Sequence, residues 1–163
     1  MKAFLADQFS ACYDHNTWFV AVKNALDGVT AEQAAWKPAG VDNSIWEIVS
    51  HLNFYNFAYV QRFKGVDYVY PVDDNDATFT EPDHAIDEAW TAELGRLDSI
   101  LTEFRDLITA TDNAKFDQPV SAENPAKWST LISNINAHNA YHGGQIMLLR
   151  KLLGNWDRAK GVS

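Results

Sequence analysis

Two histidines one helical turn apart, His138 and His142, are the residues with the clearest potential for chemistry. They lie in S-T-L-I-S-N-I-N-A-H-N-A-Y-H-G-G-Q-I-M-L-L-R-K-L-L, residues 129–153, whose periodicity predicts one helix. Residues three and four apart share a helix face, and this face carries Leu131, Ile135, His138, His142, Gln145, Leu149 and Leu152. Burying the polar groups without partners would cost roughly 1 to 3 kcal/mol each, and a metal ion would satisfy them. Two core histidines that are hydrogen-bonded to their neighbours fit the same pattern, so a third ligand has to be found elsewhere in the chain.

Four long helices are predicted to position these side chains. The periodicity indicates helices over about 2–27, 44–63, 81–110 and 129–153, within a single domain spanning 1–163. A capping box formed by Ser44 and Glu47 begins the second helix, and Gly154 ends the fourth. This pattern predicts an all-α four-helix bundle.

The second helix and the connection after it are both unusual. Residues 44–63 are apolar around most of the helix circumference, which calls for two partners, either inside the domain or in a second subunit. The polar stretch 65–80 is longer than most connections and is predicted to cross the bundle. Its run Asp73-Asp74-Asn75-Asp76 lacks the glycine and the closing glutamate of a calcium loop, so a solvated acidic loop is favoured.

A third ligand is available if neighbouring helices alternate in direction. The starts of the second and fourth helices and the end of the first then lie at one end of the bundle. At a rise of 1.5 Å per residue, His15, His51, His138 and His142 all lie roughly 10 to 20 Å from that end. Three imidazoles with one open position are typical of a catalytic zinc site. We therefore predict that His51, His138 and His142 bind a metal.

Other polar residues are expected around these ligands. His15 can be a fourth ligand, a pocket-wall donor or a core histidine, and we favour the pocket wall. Tyr55, four residues after His51, and Gln145 on the His142 face are also predicted to line the pocket. Glu47 and Asn134 are candidates for orienting an imidazole, although the capping box already explains Glu47.

Gly143 and Gly144 follow His142 directly. Two glycines inside a helix cost roughly 1 kcal/mol each relative to alanine, so the position is predicted to allow close approach by another helix or by a ligand. The chain has no His-Glu-x-x-His motif and no pair of Glu-x-x-His motifs within helices, which excludes a zincin protease and a di-iron carboxylate protein.

Composition narrows the partners and the setting. The formal net charge is -9, which argues against nucleic acid and against anionic membranes as partners. A single cysteine, Cys12, cannot form an internal disulfide, and neither a signal peptide nor a transmembrane stretch is recognisable. A soluble cytoplasmic protein with a small-molecule substrate is expected.

Two motifs carry a family resemblance. The chain resembles the DinB/YfiT-like superfamily of metalloenzymes in S-I-W-E-I-V-S-H-L at 44–52 and H-N-A-Y-H-G-G-Q-I at 138–146. The connector A-E-Q-A-A-W-K-P at 31–38 shares the resemblance. The resemblance implies a four-helix bundle with a long overhand connection and a divalent metal, usually zinc or nickel, bound by the histidines at 51, 138 and 142. It also implies homodimers and, in some branches, thiol-dependent transferases or isomerases that use bacillithiol, mycothiol or glutathione.

Three functions are open on the sequence. We favour a metal-dependent thiol S-transferase in which a thiolate takes the open position, because a metal lowers the pKa of a bound thiol. A hydrolase that uses metal-bound water needs the same ligands. The third function is a non-catalytic metal-binding bundle associated with stress. Low-molecular-weight thiols carry carboxylates, and the cations toward the helix ends, Arg62, Lys64, Arg150 and Lys151, support the thiol function only mildly.

Overall fold

The structure is a computed structural model that describes residues 1–81 and 85–161, and helices form the whole framework of these ranges. The helices are α1 (Lys2–Tyr13), α2 (Val22–Leu26), α3 (Ala31–Ala35), α4 (Ile45–Phe63), α5 (Asp87–Ala110) and α6 (Trp128–Leu153), with short 3₁₀ segments at Asp76–Thr78, Asn113–Asp117 and Arg158–Lys160. Four of the helices are long and form the bundle, so the predicted all-α four-helix bundle is confirmed.

The predicted single helix over 2–27 is wrong, because α1 ends at Tyr13 and a short α2 follows after an irregular stretch. Asn16 explains the break. Its Oδ1 accepts the Ala21 backbone N–H at 2.9 Å and the Asn24 Nδ2 at 2.8 Å, so side-chain hydrogen bonds replace the helical ones. The other long helices agree more closely with prediction. The described part of the third begins at Asp87, and residues 82–84 of the predicted 81–110 helix lie outside the described residues.

Contacts between side chains give the directions of the helices. Contacts made further along α4 involve residues nearer the start of α6. Asn56 bonds Asn139, and the ring of Phe63 lies 4.8 Å from that of Trp128. The two helices are therefore antiparallel. By contrast α4 and α5 run in parallel, because the ring of Trp46 lies 5.0 Å from that of Trp90 and the ring of Phe63 lies 5.8 Å from that of Phe104.

A parallel pair of neighbours requires a connection that runs back along the bundle. The described residues between α4 and α5, 64–81 and 85–86, belong to this return, which is the long overhand connection that the family resemblance implied. The 3₁₀ turn Asp76–Thr78 within it packs on α4. The connection thereby brings polar side chains to the middle of the bundle wall.

The simple alternation of helix directions assumed from the sequence is wrong. Since α4 and α6 are antiparallel, their starting ends lie at opposite ends of the bundle. His51, one and a half turns into α4, still reaches the level of His138 and His142, because those two residues lie near the middle of α6. The three histidines meet for a different geometric reason from the one predicted.

The apolar surplus of α4 is covered by its own chain. Phe54 stacks on Tyr70 at 5.4 Å and Phe57 lies against Tyr68 at 5.6 Å, so the overhand connection shields the outer side of the helix. This helix therefore does not need a second subunit, and the homodimer stays a prediction. Within the described ranges, none of the helices has the length and hydropathy that crossing a membrane requires.

Candidate metal centre

Three imidazoles meet between α4 and α6. The Nε2 atom of His138 lies 3.0 Å from Nε2 of His51 and 3.1 Å from Nε2 of His142. The three residues can each offer one nitrogen within a group no wider than 4.8 Å. His138 and His142 share a face of α6 because they are four residues apart, and His51 faces them from α4. The structure thus brings together the three histidines that the sequence predicted as ligands.

Thr78 determines which nitrogen of His51 carries the proton. The Thr78 hydroxyl donates to the Asn75 backbone oxygen at 2.6 Å, and its Oγ1 lies 2.6 Å from Nδ1 of His51. Because the hydroxyl proton is already used, Oγ1 acts as the acceptor and Nδ1 of His51 as the donor. Nε2 of His51 is then left unprotonated, with its lone pair directed at the other imidazoles.

Gln145 has the same effect on His142. Its Oε1 lies 2.7 Å from Nδ1 of His142, and its Nε2 donates to the Tyr141 hydroxyl at 3.3 Å. An amide oxygen can only accept, so Nδ1 of His142 carries a proton and Nε2 does not. Such a partner on the far nitrogen is the arrangement that fixes metal-binding histidines in other proteins.

The donor set fits a divalent metal ion. Two unprotonated Nε2 atoms face a single His138 nitrogen, which can supply a proton to only one of them. A cation shared by all three removes this conflict. In a tetrahedral site with Zn–N bonds of about 2.0 to 2.1 Å, the nitrogens are roughly 3.3 Å apart, close to the two separations observed here.

Burial keeps these imidazoles neutral. Desolvation, with a smaller contribution from the neighbouring His142 and His138, lowers the pKa of His51 to about 3. The same burial lowers the pKa of His138 to about 4 and also lowers that of His142. Metal ligands must be unprotonated, so the site is prepared for binding at neutral pH without an energetic cost for proton removal.

Aromatic rings enclose the three histidines on several sides. Phe79 stacks on His51 with the ring centres 4.0 Å apart, and Tyr55 approaches the same imidazole at 4.9 Å. Tyr141 lies 5.1 Å from His142. These rings reduce contact with water and fix the orientation of the imidazoles.

One side of the group opens into a pocket. Its volume is about 290 Å³, and its lining consists of Tyr55, Tyr59, Asn75, Asn134, Ile135 and His138. Tyr55 also donates to the Asn75 side-chain oxygen at 3.1 Å, which ties the overhand connection to α4. The half-buried His138 is the ligand candidate that this pocket reaches. A small molecule bound there would lie beside the metal-binding nitrogens.

The remaining predicted residues divide between the site and the rest of the fold. Tyr55 and Asn134 line the pocket. Gln145 does not line the pocket and is hydrogen-bonded to His142. His15 is exposed in the irregular stretch after α1 and does not line the pocket, which corrects its placement in the wall. It fails to reach the site because α1 ends before it.

Glu47 is also placed differently from the prediction. Its carboxylate accepts the Ser44 backbone N–H at 2.6 Å and pairs with Lys37 at 3.0 Å. Thr78, and not Glu47, is the partner of His51. The capping box therefore accounts for this carboxylate, and its predicted role in orienting an imidazole is corrected.

The two glycines differ in their surroundings. A Cβ atom on Gly143 would meet the Val22 Cγ2 atom at 3.2 Å, whereas one on Gly144 would meet nothing within 4 Å. Close approach by α2 thus explains the first glycine, and the pocket next to His138 includes neither of them.

Sequence reasoning missed four residues of the site, three of them in one segment. Thr78, Phe79 and Asn75 come from the overhand connection, and the sequence gives few clues to where such a connection lies. The available signal was its length together with a Thr-Phe-Thr segment, 78–80, in an otherwise acidic stretch. Tyr59, one turn after Tyr55 on α4, could have been found from helical spacing.

A larger cleft lies away from the histidines. It has a volume of about 480 Å³ between α2 and α5 and is lined mainly by leucines and by Tyr13, Lys23 and Asp98. Its charged groups have partners: Lys23 pairs with Asp98 at 2.5 Å, the Tyr13 hydroxyl bonds the same carboxylate, and Asp27 pairs with Lys160 at 2.9 Å. No metal-binding group of three or more histidines, cysteines or carboxylates lies there among the described residues.

Comparison with known proteins agrees with this geometry. No curated protein and no solved structure matches the chain. A family model described as the DinB superfamily matches residues 19–146, well over half of the 163-residue chain, and the match includes all three histidines. With its helical bundle and its group of three imidazoles, the chain belongs to the DinB superfamily.

Proposed function

We propose that this chain is a divalent-metal-dependent enzyme that joins a small thiol to an electrophilic substrate. The observation that carries the proposal is the convergence of three Nε2 atoms beside an open pocket. Structural zinc sites are closed by four protein ligands, whereas catalytic sites have three ligands and remain accessible. Three neutral imidazoles suit zinc or nickel, and we propose one of these as the metal.

The chain's own residues would orient and enclose the reactants. When bound, the metal supplies the positive charge that lowers the pKa of a thiol beside it. Thr78 and Gln145 keep two imidazoles in the required orientation, and the stacked Phe79 limits access of water. The thiol loses its proton to solvent, its sulfur forms a bond to an electrophilic carbon, and the leaving group departs with the bonding electron pair.

Thiol transfer is favoured over hydrolysis by the surroundings of the imidazoles. Hydrolysis benefits from a group that takes the proton of the attacking water, most often a carboxylate or a histidine. Within the described residues, the side chains that hydrogen-bond to the three imidazoles or pack a ring against them, apart from the histidines themselves, are threonine, glutamine, tyrosine and phenylalanine. Beside a bound metal, a thiol would lose its proton directly to water near neutral pH and would need no such group.

Metal binding is tested first. Elemental analysis of untagged protein should find about one zinc or nickel per chain, and metal-free protein should take up one equivalent on titration. His138→Ala should abolish this uptake, while His15→Ala, which removes an exposed histidine, should leave it unchanged. Equal uptake by the wild-type and His138→Ala proteins would contradict the proposed ligand set.

Turnover is tested next on the metal-loaded protein. A panel of small thiols is offered with an aryl halide as electrophile, and a panel of activated esters is offered without thiol. Metal-dependent thioether formation, absent in His138→Ala, supports the transferase. Ester cleavage without thiol conjugation would support the hydrolase, and metal binding without turnover on either panel would support a non-catalytic bundle.

A further inference from the structure

The pocket beside His138 has an aromatic wall. Tyr55 and Tyr59 lie with ring centres 6.4 Å apart and planes inclined by 26°, and Tyr70 packs against Tyr55 at 5.7 Å. The faces of tyrosine rings attract ammonium and guanidinium groups. This aromatic group already holds one such cation, because the Arg62 guanidinium lies 4.3 Å from the centre of the Tyr70 ring.

Acidic residues adjoin one of the lining residues of the pocket. Asn75, which lines the pocket, stands between Asp74 and Asp76, and both carboxylates are exposed. The backbone N–H of Asp76 donates to the Asp74 carboxylate at 3.1 Å, so this turn is held in place. Neither a lysine nor an arginine is among the six lining residues.

Arg62 does not line this pocket, although its positive charge acts on Tyr59. Its guanidinium donates to the Tyr70 hydroxyl at 3.0 Å and to the Tyr68 backbone oxygen at 3.3 Å. It lines a separate opening together with Gly65 and Val120. A thiol that carries several carboxylates would therefore meet amides and phenol rings, with no lysine or arginine among the six lining residues to pair with its charge.

We propose that the thiol accepted by this site is a small one that carries a positively charged amine or quaternary ammonium group. Its sulfur would lie at the imidazoles and its cationic end against the tyrosine faces, near the carboxylates of residues 74 and 76. The volume of about 290 Å³ suits such a small molecule, since it is at the lower end of the range for ligand pockets. The inference rests on the proposed function and names the substrate class of the same site.

Three thiols that differ in the charge of one end test the proposal. Thiocholine is cationic, 3,3-dimethyl-1-butanethiol is its neutral isostere, and 3-mercaptopropionate is anionic. The quaternary nitrogen of thiocholine cannot bind a metal, so a preference for it reports recognition of charge alone. Binding to the cobalt-substituted protein is followed by the thiolate-to-cobalt absorption band, with dissociation constants corrected for the acidity of each free thiol.

Thiocholine should bind about fivefold to thirtyfold more tightly than the neutral isostere, which is the range of a cation on aromatic faces. The anionic thiol should bind most weakly, and 0.5 M salt should reduce the preference. Equal affinity for the cationic and neutral thiols, or tighter binding of the anionic one, would overturn the inference.

Matched variants locate the source of the preference. Asp74→Asn with Asp76→Asn keeps the acceptor oxygen of the turn and should reduce the preference about twofold to fivefold. Asp7→Asn with Glu88→Gln removes two exposed carboxylates that do not line the pocket and should leave the preference unchanged.

Tyr59→Leu should lose most of the preference and Tyr59→Phe should keep it, because phenylalanine retains the aromatic face. An unchanged preference in both the Asp74/Asp76 and the Tyr59→Leu variants would overturn the inference.

Failure of the inference can be told apart from failure of the proposed function. If all three thiols produce the absorption band with equal affinity, thiol binding stands and the charge preference falls. If none produces it, the thiol function falls. Metal-free protein is then titrated with choline and with 3,3-dimethyl-1-butanol, and the Tyr59 ring resonances are followed. Larger shifts with choline would uphold a cation-binding pocket, and equal shifts would overturn it.

Discussion

The tautomers of the histidines are set by residues that do not belong to the predicted ligand set. Thr78 occupies a buried position in the overhand connection. Its Oγ1 accepts a hydrogen bond from Nδ1 of His51, and its hydroxyl donates to the Asn75 backbone oxygen. A single hydroxyl thus connects the loop backbone to the metal-binding nitrogen. The structure makes Thr78 a positioning residue whose effect on metal affinity can be measured.

We predict that Thr78→Val weakens metal affinity about tenfold to a hundredfold, the usual cost of removing a partner of a metal-binding histidine. Valine has a similar volume but cannot accept from Nδ1 of His51. Thr78→Ser retains the hydroxyl and should bind metal nearly as tightly as wild type. Competition with a chromophoric chelator measures the three affinities, and equal values for the valine and wild-type proteins would show that the hydroxyl has no such role.

The single cysteine is not equipped to act as the nucleophile. Cys12 is 7% exposed on α1, and burial raises the pKa of its thiol to about 11. We predict that a disulfide reagent reacts with Cys12 in the folded protein at least about a hundredfold more slowly than in the denatured chain, because the thiolate is the reactive form. Release of the coloured thiol at pH 7.5 measures both rates. Comparable rates would mean that Cys12 is accessible and ionised, contrary to its position in the structure.

At the residue scale, the sequence allows the candidate metal ligands to be predicted. It does not allow prediction of Thr78, the residue that orients His51. His138 and His142 are found from helical spacing, since four residues separate them on one face of α6. Thr78 is separated from His51 by 27 residues and an irregular segment, so no local pattern relates the two. A long-range hydrogen bond of this kind depends on how the loop folds over the helix.

At the scale of elements, α6 combines a site with a tight contact. Its middle carries the two histidines, and Gly143 directly after them allows α2 to approach, with the added Cβ atom meeting Val22 at 3.2 Å. Val22 is buried and β-branched, so it can give way only slightly. Gly144, the next residue of the same helix, faces open space.

This difference predicts opposite effects of two neighbouring substitutions. Gly144→Ala should raise the free energy of unfolding by up to about 1 kcal/mol, because alanine favours the helix and meets no neighbour. Gly143→Ala should gain less or lower the stability, since the helical gain is offset by the contact with Val22. Chemical denaturation of both variants measures the difference, and equal stabilisation by the two would show that α2 does not restrict this position.

Element boundaries show where helical periodicity succeeds and where it fails. The predicted helices 44–63 and 129–153 agree with α4 and α6 to within one residue. A capping box begins α4, and Gly154 in the left-handed conformation ends α6. The predicted helix 2–27 fails because periodic apolar residues continue through a segment whose polar side chains bind the backbone instead. Periodicity reports which residues face the core, and it does not report whether the chain remains helical between them.

At the scale of the whole molecule, the parallel pair α4 and α5 determines where the site is completed. The return along the bundle brings the Asn75 to Phe79 segment against α4, level with the histidines. The three-histidine group could be predicted despite the wrong helix directions, because the histidines of α6 lie near its middle and remain within reach from either end. The residues that the overhand connection adds to the site could not be predicted, because that required the correct helix directions.

The whole molecule should also respond to pH through these buried imidazoles. In the folded, metal-free protein the pKa values of His51 and His138 are lowered to about 3 and 4, and that of His142 is lowered as well, whereas an unfolded histidine has a pKa of about 6.5. Between pH 6.5 and 4 the unfolded chain therefore binds more protons than the folded one. The free energy of unfolding is at its full value above pH 6.5 and decreases as the pH falls toward the folded pKa values.

We predict that metal-free protein loses stability between pH 7 and 5, with each buried imidazole contributing at most about 1.4 kcal/mol per pH unit below pH 6.5. Urea denaturation at several pH values measures this slope, and the three histidines should titrate as a coupled group. His51→Gln should reduce the slope because one proton-binding group is removed. A free energy of unfolding that stays constant from pH 7 to 5 would show that the fold does not hold the imidazoles neutral and does not prepare them to receive a metal.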